Sequence, residues 1–389
     1  MDLRLSAEQA ALRELAARFA DREVAPYAAD WDRREAVDPA IVGKLGEVGF
    51  LGLTIDEPYG GSGGDHLSYC LVLEELGRAD AAVRGIVSVT LGLVAKTIAS
   101  HGSDEQRTRW LPRLCAGTAL GCFALTEPDV GSDAASLTTR AVRDGDDWLL
   151  TGSKMFISNG TTADVALVFA RSGGAGPRGI TAYLVPTDAP GLQRREIHGK
   201  LGLRGQATAE LALDGVRVSD ADRLGPVGGG FRIALAALTK GRMSVAAGCV
   251  GLAQACLDTA VRHAGQRTQF GRPIAGHQLV QRLLAGIAVR TDAARLLVWR
   301  VADLIDRGEP FATEASMAKL FASEAAVDAA NDAIQVLGGY GYIDEYPVGR
   351  YLRDARVTTL YEGTSQIQEL LIGRALTGVN AFSHPPSTS

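Results

Sequence analysis

Tyr361-Glu-Gly-Thr-Ser-Gln366 sets a carboxylate beside a glycine and two hydroxyls, just ahead of the amphipathic run Ile367 to Arg374. A carboxylate at a helix start is ordinarily a cap for backbone N–H groups, whereas the same group withdrawn from water is a general base. Phe123-Ala-Leu-Thr-Glu-Pro-Asp-Val-Gly-Ser-Asp133 places glycine and proline turns beside hydroxyls and carboxylates. Backbone amides at such a turn can cradle a pyrophosphate, with Ser132 and Thr126 as further donors, and the plainer alternative is a capped turn. Lys154-Met-Phe-Ile-Ser-Asn-Gly160 offers Phe156 and Ser158 two residues apart, hence on one side of a strand, although Phe156 also reads as ordinary core. Arg267-Thr-Gln-Phe-Gly-Arg-Pro273 ends a helix with two cations and a turn, and Gln335-Val-Leu-Gly-Gly-Tyr-Gly341 breaks a helix with three glycines. Each segment is weak by itself, and their joint order carries the information.

The elements that must position them follow from length and pattern. A chain of 389 residues, 46% hydrophobic and 22% charged, buries a large core in two or three domains. A net charge of -5 with mixed signs leaves no basic stripe for nucleic acid and no polybasic tail for anionic lipid, so neither is an expected partner. Five cysteines, none spaced as C-x-x-C, fit buried free thiols in a reducing compartment, and no metal site is expected. Ser6-x-x-Gln9 reads as a capping box where a signal peptide would need an apolar stretch, and apolar runs such as Gly85 to Ala95 are too short for a membrane span. The expected location is the cytoplasm.

Helical periodicity runs from Ser6 through Lys44 to Phe50, Leu67 to Gly77 and Asp80 to Ser100, and Ser103-x-x-Gln106 caps a helix reaching about Cys115. From Gly121 the texture turns to β-formers at Trp148 to Thr151, Val165 to Ala170, Thr181 to Val185 and Glu210 to Val218. After Gly225 to Gly230 come four long helical stretches, Phe231 to Arg267, His277 to Arg307, Phe311 to Leu337 and Tyr346 to Thr377, patterned like bundle helices. This α+β order, with expected domains 1–120, 121–230 and 231–382 and a disordered tail 383–389, excludes a doubly wound nucleotide fold, and the G-x-G-x-x-G fingerprint is absent. Pro58 to Gly64 lacks the Gly-Lys-Ser/Thr ending of a phosphate loop and reads as a connection.

Together the five segments resemble the acyl-CoA dehydrogenase family from about Leu5 to Phe382. Leu125-Thr-Glu-Pro-Asp-Val-Gly-Ser-Asp133 is similar to the family's first signature, and Gln335 to Tyr342 with Arg353-Asp354 to its second. Tyr361-Glu-Gly-Thr-Ser-Gln-Ile-Gln368 is similar to the motif that carries the base in short- and medium-chain members. The resemblance implies a helical N-terminal domain, a middle β-barrel and a C-terminal four-helix bundle, assembled as a homotetramer built as a dimer of dimers. It also implies one non-covalent FAD per subunit. By matching positions Phe123, Leu125, Thr126, Gly131 and Ser132 would run along the flavin and its pyrophosphate, and Phe156, Ile157 and Ser158 would pack against the isoalloxazine. Arg267, Gln269, Phe270 and Gln278, with Gln335, Gly338 and Gly339, would hold the FAD of a neighbouring subunit. Thr364 and Gln366 would meet its adenosine end.

The implied reaction is α,β-dehydrogenation of an acyl thioester to a trans-2-enoyl product. Glu362 takes the α-proton, flavin N5 takes the hydride, and the Glu362 backbone N–H helps hold the carbonyl oxygen. Some relatives carry the base immediately before the arginine of Thr239-Lys-Gly-Arg242, where this chain has Gly241, which favours Glu362. Thr239 replaces the aspartate common three residues before Arg242; both, with Ser132 and Gly363, are expected near the thioester and its pantetheine arm. An electron-transferring flavoprotein is the expected electron acceptor. An oxidase, an enzyme acting on acyl-carrier-protein thioesters, and a non-catalytic helical scaffold are the alternatives.

Arg84 is a lone cation in the apolar run Ala81 to Val94, with Ser88 one turn further on the same face. Glutaryl-CoA dehydrogenases look similar at these two positions and over Ile372 to Phe382, so the pair is a candidate for binding a substrate carboxylate. Gly77, where decarboxylating members carry Glu, departs from that pattern. The structural alternative is an i,i+4 salt bridge from Asp80 to Arg84.

Overall fold

The computed structural model describes residues 4–381, so the expected tail 383–389 lies outside the described residues. Helices α1 (Ala7–Phe19), α2 (Ala28–Arg34), α3 (Ala40–Glu47), α4 (His66–Ala79), α5 (Ala81–Val87), α6 (Lys96–His101) and α7 (Asp104–Cys115) come first. Reciprocal capping boxes start α1 at Ser6 and Gln9 and α7 at Ser103 and Gln106, as their spacing predicts. A π-helical stretch, Ser88–Ala95, joins α5 to α6 in one rod. That rod, Ala81–His101, is long and apolar enough to cross a membrane, contrary to the expectation from its shorter apolar runs, but 94% of its apolar window is buried inside the fold. It is a core helix, hydrophobic all round because neighbours surround it. All five cysteines are buried free thiols.

Strands β1 (Gly121–Ala124), β2 (Arg140–Asp144), β3 (Asp147–Ser158), β4 (Val165–Arg171), β5 (Ile180–Pro186), β6 (Leu192–Glu196), β7 (Thr208–Ser219) and β8 (Arg223–Leu224) form one sheet. Its order is β6-β7-β3-β2-β4-β5-β8, with β1 added beside β4. β2 meets β4 through a single residue pair, Arg140 with Arg171, and there the sheet folds over. Trp148 on β3 and Tyr183 on β5 consequently touch across the interior, ring centroids 5.7 Å apart, in a barrel-like core.

α8 (Gly230–Gln266) is the hub of the C-terminal helices. A two-residue hairpin, β9 (Thr268–Gln269) with β10 (Arg272–Pro273), leads to α9 (Gln278–Asp306), α10 (Ala312–Leu337), α11 (Val348–Thr358) and α12 (Ser365–Thr377). α8 lies against α4, α9 and α10. Its approach to α4 is backbone to backbone: a Cβ on Gly251 would stand 1.9 Å from the Glu74 carbonyl oxygen, and one on Gly77 2.6 Å from that of Gly248. A side chain at position 77 would therefore have to push α8 away. The continuous helix expected from Tyr346 to Thr377 is in fact two, broken after Thr358. The break is the turn that holds Glu362, whose φ of 52° and Gly363's of 92° cannot continue a helix.

Candidate active site

Glu362 sits where α5, α8, α10 and α12 converge. Its backbone is held in the left-handed region, a conformation that a non-glycine residue keeps only under constraint. The constraint is visible. Gln368 Nε2, one turn into α12, donates to the carbonyl oxygens of Glu362 at 3.3 Å and Gly363 at 3.0 Å. Lys319 Nζ, from α10, donates to the Gly363 carbonyl at 2.8 Å. The side chain points at α8, where a Cβ on Gly241 would stand 2.1 Å from Oε2. Gly241 thus leaves the space that the carboxylate fills.

Oε2 is enclosed and has no hydrogen-bond partner among the described residues. Burial pushes the carboxyl up from 4.5 to about 7, against the opposing pull of Arg84, Lys319 and Arg242. Each of these cations donates one hydrogen bond to a neutral group. Arg84 Nη2 donates to the Tyr361 hydroxyl at 2.8 Å, Lys319 to the Gly363 carbonyl, and Arg242 Nη1 to Ser316 Oγ at 3.4 Å. Among the described residues, no acceptor meets the Glu362 backbone N–H. A lone carboxylate poised near neutrality beside a free amide donor is equipped to remove a proton and to steady the oxyanion that results.

The alternative, an Asp80–Arg84 salt bridge, does not form. Asp80 pairs with Arg350 of α11 at 3.1 Å and caps α5 through the Val83 N–H at 2.9 Å. Arg84 is 3% exposed, its Nε and the Ser88 Oγ lack partners among the described residues, and its guanidinium lies over Gly248, where a Cβ would meet Nε at 2.6 Å. Val89 and Leu93 with Ala237 and Phe123 form a small apolar cluster beside this polar set.

The sheet presents a second group. Phe123 and Leu125 lie on and just after β1, Thr126 receives the Met155 N–H through its carbonyl at 2.9 Å, and Gly131 and Ser132 are exposed on the following turn. The strand expected to carry Phe156 and Ser158 on one side is not regular at this point. A bulge between Lys154 and Ile157 gives Phe156 a φ of 59° and lifts its ring to 65% exposure, while Ile157 is buried. Sequence reasoning missed what joins the two motifs. Glu127 accepts Lys154 Nζ at 2.8 Å and the Thr138 and Thr139 N–H groups at 2.7 and 2.9 Å, both side chains buried. Burial works against the Glu127 carboxylate, but Lys154 and the two threonines hold it down to about 2.

A third group lies at the far end of α8. His263, Arg267, Gln269, Gly338, Gly339 and Tyr340 line a cleft of about 490 Å³, with Arg267 5.6 Å over the Tyr340 ring. Phe270 and Gly271, both at positive φ, make the tight hairpin turn that sets Phe270 at 92% exposure. Gln278 and Gln335 are exposed at helix ends, as is Gln366 at the start of α12, which Thr364 caps through the Ile367 N–H. Thr239 directs its hydroxyl to the Leu235 carbonyl of its own helix at 2.7 Å. The structure brings Arg84, Arg242, Gly363 and Glu362 together, Phe123 joins this set to the sheet group, and the cleft group lies apart at the far end of α8. Lys319 and Gln368 had a faint signal: Lys319 is a lone cation on the alanine-rich face of α10, and Gln368 a lone amide in the Ile367 to Arg374 run.

Three family models cover the chain almost end to end: acyl-CoA dehydrogenase N-terminal domain over 6–118, middle domain over 122–216 and C-terminal domain over 228–377. An acyl-CoA dehydrogenase of Bacillus subtilis (strain 168) is 45% identical over 377 residues, 97% of this chain and all of that protein. Butyryl-CoA dehydrogenase from Megasphaera elsdenii superposes with a TM-score of 0.95 at 39% identity, over 97% of this chain and 100% of that one. A glutaryl-CoA dehydrogenase from Mycobacterium smegmatis in complex with FADH2 gives 0.94 at 37%, over 97% of each. Helical layer, folded sheet and helical bundle superpose on these relatives over nearly the whole chain: the chain belongs to the acyl-CoA dehydrogenase family of flavoprotein oxidoreductases.

Proposed function

We propose that this chain desaturates a short-chain acyl-CoA between its α and β carbons, with Glu362 as proton acceptor. The observation that carries the reading is the solitary, enclosed Glu362 carboxylate packed into the space of Gly241 beside an unused backbone N–H. In this reading Oε2 takes the α-proton, and the Glu362 N–H donates to the thioester oxygen as negative charge grows there. Arg84, Lys319 and Arg242 keep enough of the base ionised at neutral pH, and the Val89, Leu93, Ala237 and Phe123 cluster excludes water beside it.

FAD fits the surfaces present: an aromatic ring lifted out of β3 at Phe156, an open turn at Gly131 and Ser132, and a cleft with Arg267 and two glycines at its rim. Phe123 to Ser132 and Phe156 to Ser158 would hold one FAD, and Arg267, Gln269, Phe270, Gln278, Gln335, Gly338 and Gly339, with Thr364 and Gln366, the FAD of a neighbour in a dimer of dimers. When bound, FAD supplies the acceptor for the hydride that leaves the β carbon. An electron-transferring flavoprotein is then the outlet for the electrons. The test is an anaerobic panel of acyl-CoA and acyl-carrier-protein thioesters scored by bleaching of the flavin band. Bleaching by butyryl-CoA is expected, and no bleaching by any thioester would refute the reading.

A second reading concerns the acyl group. Arg84 is buried, has no carboxylate partner among the described residues, and stands with the unpaired Ser88 hydroxyl. Such a pair fits the far carboxylate of a dicarboxylic thioester such as glutaryl-CoA. Arg84→Ala is then expected to depress kcat/KM for glutaryl-CoA far more than for butyryl-CoA. Equal effects on both would remove it.

A further inference from the structure

Lys319 is fully enclosed in the middle of α10, yet among the described residues it makes no ion pair. Among the described residues its ammonium donates only to the Gly363 carbonyl, at 2.8 Å. An ammonium buried against a neutral acceptor is costly, and burial pushes this amine down to about 8. General packing would be served better by an apolar side chain. What Lys319 grips is specific: the carbonyl of the second residue of the two-residue left-handed turn that carries Glu362. Gln368 grips the same turn from α12. Both carbonyls are tied down, and among the described residues no acceptor meets the Glu362 N–H.

The charged and titratable groups facing Lys319 are Glu362, Arg242 of α8, the Cys249 thiol of α8 and Glu324 of α10, which is engaged by Ser365 Oγ at 2.5 Å. Those facing Glu362 are Arg84, Lys319 and Arg242, with the Tyr361 and Tyr69 hydroxyls close by. We propose that Lys319 is a positioning residue for the dehydrogenation: it clamps the Gly363 carbonyl so that the Glu362 carboxylate and backbone N–H face the substrate together, and it fixes a positive charge behind the base. This rests on Glu362 being the base.

The test compares Lys319→Gln, which keeps a donor and loses the charge, with Lys319→Met, which loses both, in the FAD-loaded enzyme. Flavin reduction by butyryl-CoA is followed as a function of pH, and the Glu362 carboxyl is titrated independently by its infrared band, identified by its loss in Glu362→Gln. Removing a cation must raise the base's midpoint. Both variants are expected to move the acidic limb and the infrared midpoint upward by about one pH unit. Lys319→Met should also lower the alkaline plateau by about tenfold while KM changes little. Folded, FAD-loaded variants with the parent's midpoint and plateau would overturn the proposal, and Lys319→Gln decides alone if Lys319→Met does not fold. A Glu362→Gln enzyme that still reduces its flavin normally would overturn the base assignment and the clamp with it, whereas a dead Glu362→Gln beside unaltered Lys319 variants removes the clamp only.

Discussion

Replacing Gly241 by alanine puts one methyl group where the Glu362 carboxylate now lies. The new Cβ would stand 2.1 Å from Oε2, 3.1 Å from Cδ and 3.0 Å from Leu93 Cδ2, whereas ordinary contact begins at 3.4 Å. The carboxylate has to retreat by about 1 Å, and a misplacement of that size at the reacting centre costs on the order of 100-fold, or roughly 2.7 kcal/mol of barrier. Stability should move the other way, because alanine in a helix interior is better than glycine by about 1 kcal/mol. Stopped-flow reduction of the bound flavin by butyryl-CoA is therefore expected to slow about 100-fold in a protein with undiminished melting temperature and flavin content. Reduction within about threefold of the parent would refute the argument, since the carboxylate would have to be tolerant of displacement. Its complement is the pair Gly241→Glu with Glu362→Gly, in which a carboxylate rooted on α8 reaches the same space. Reduction at least about tenfold faster than in Glu362→Gly alone is expected.

Glu362→Gln should keep its FAD and lose roughly 10³-fold or more in flavin reduction, while the parent's rate climbs with pH through about 7 and then levels, because the base acts deprotonated. As the folded pKa lies above 4.5, the folded state holds the extra proton and stability falls as pH rises from about 4.5 to 7. Allowing for partial screening, Glu362→Gln should therefore gain on the order of 1–2 kcal/mol over the parent above pH 7, checked by denaturant melts at pH 5 and 8. Lys154→Met leaves Glu127 buried without its cation and should cost about 3–5 kcal/mol in chemical denaturation. For the parent, the Glu127 carboxylate's part in that pair is present above about pH 4.5 and is lost as pH falls toward 2, while Lys154, pushed down by burial to about 8, keeps its charge only below that. Arg267→Ala should weaken FAD retention and oligomerisation together, measured by flavin content and size exclusion, and an unaltered holo-tetramer would count against the shared-cofactor reading.

Much of this was legible because the signals are local. Capping boxes at Ser6 and Ser103 need only residues three apart, and both form as written. Glu362 was legible through its motif and through the glycine at 241, a pairing of distant positions that the Oε2 contact now explains. What remained hidden depends on partners far along the chain. Asp80, four residues before Arg84, looked like its natural counter-ion until Arg350 took it, 270 positions away. The bulge at Phe156 and the break before Glu362 are backbone states that no hydrophobic period records, since the apolar spacing of Tyr346 to Thr377 continues across the break. Lys319 stands out in sequence only as a charge among alanines; its acceptor is a backbone carbonyl, which leaves no trace in residue types.

The same electrostatics decide how the substrate question has to be asked. Burial raises the Glu362 carboxyl, and Arg84 is the strongest of the cations that pull it back, ahead of Lys319 and Arg242. Arg84 also donates to the hydroxyl of Tyr361, the residue next to the base. Removing Arg84 therefore raises the base's midpoint for every substrate, charged or not. At pH 7 that alone slows butyryl-CoA, and a comparison made only there would confuse a weakened base with a lost carboxylate contact. Above the shifted midpoint the base is fully ionised in parent and variant alike, and the electrostatic effect drops out of the rate. Only the direct contact survives: a bidentate guanidinium–carboxylate bond lost from a dry site, about 3 kcal/mol or roughly 100-fold. Measured on the alkaline plateau, Arg84→Ala should thus leave butyryl-CoA within a few-fold of the parent and depress glutaryl-CoA by about 100-fold. If the two substrates fall together on that plateau, Arg84 serves the base and the Tyr361 hydroxyl alone, and the uncharged short acyl chain is the substrate.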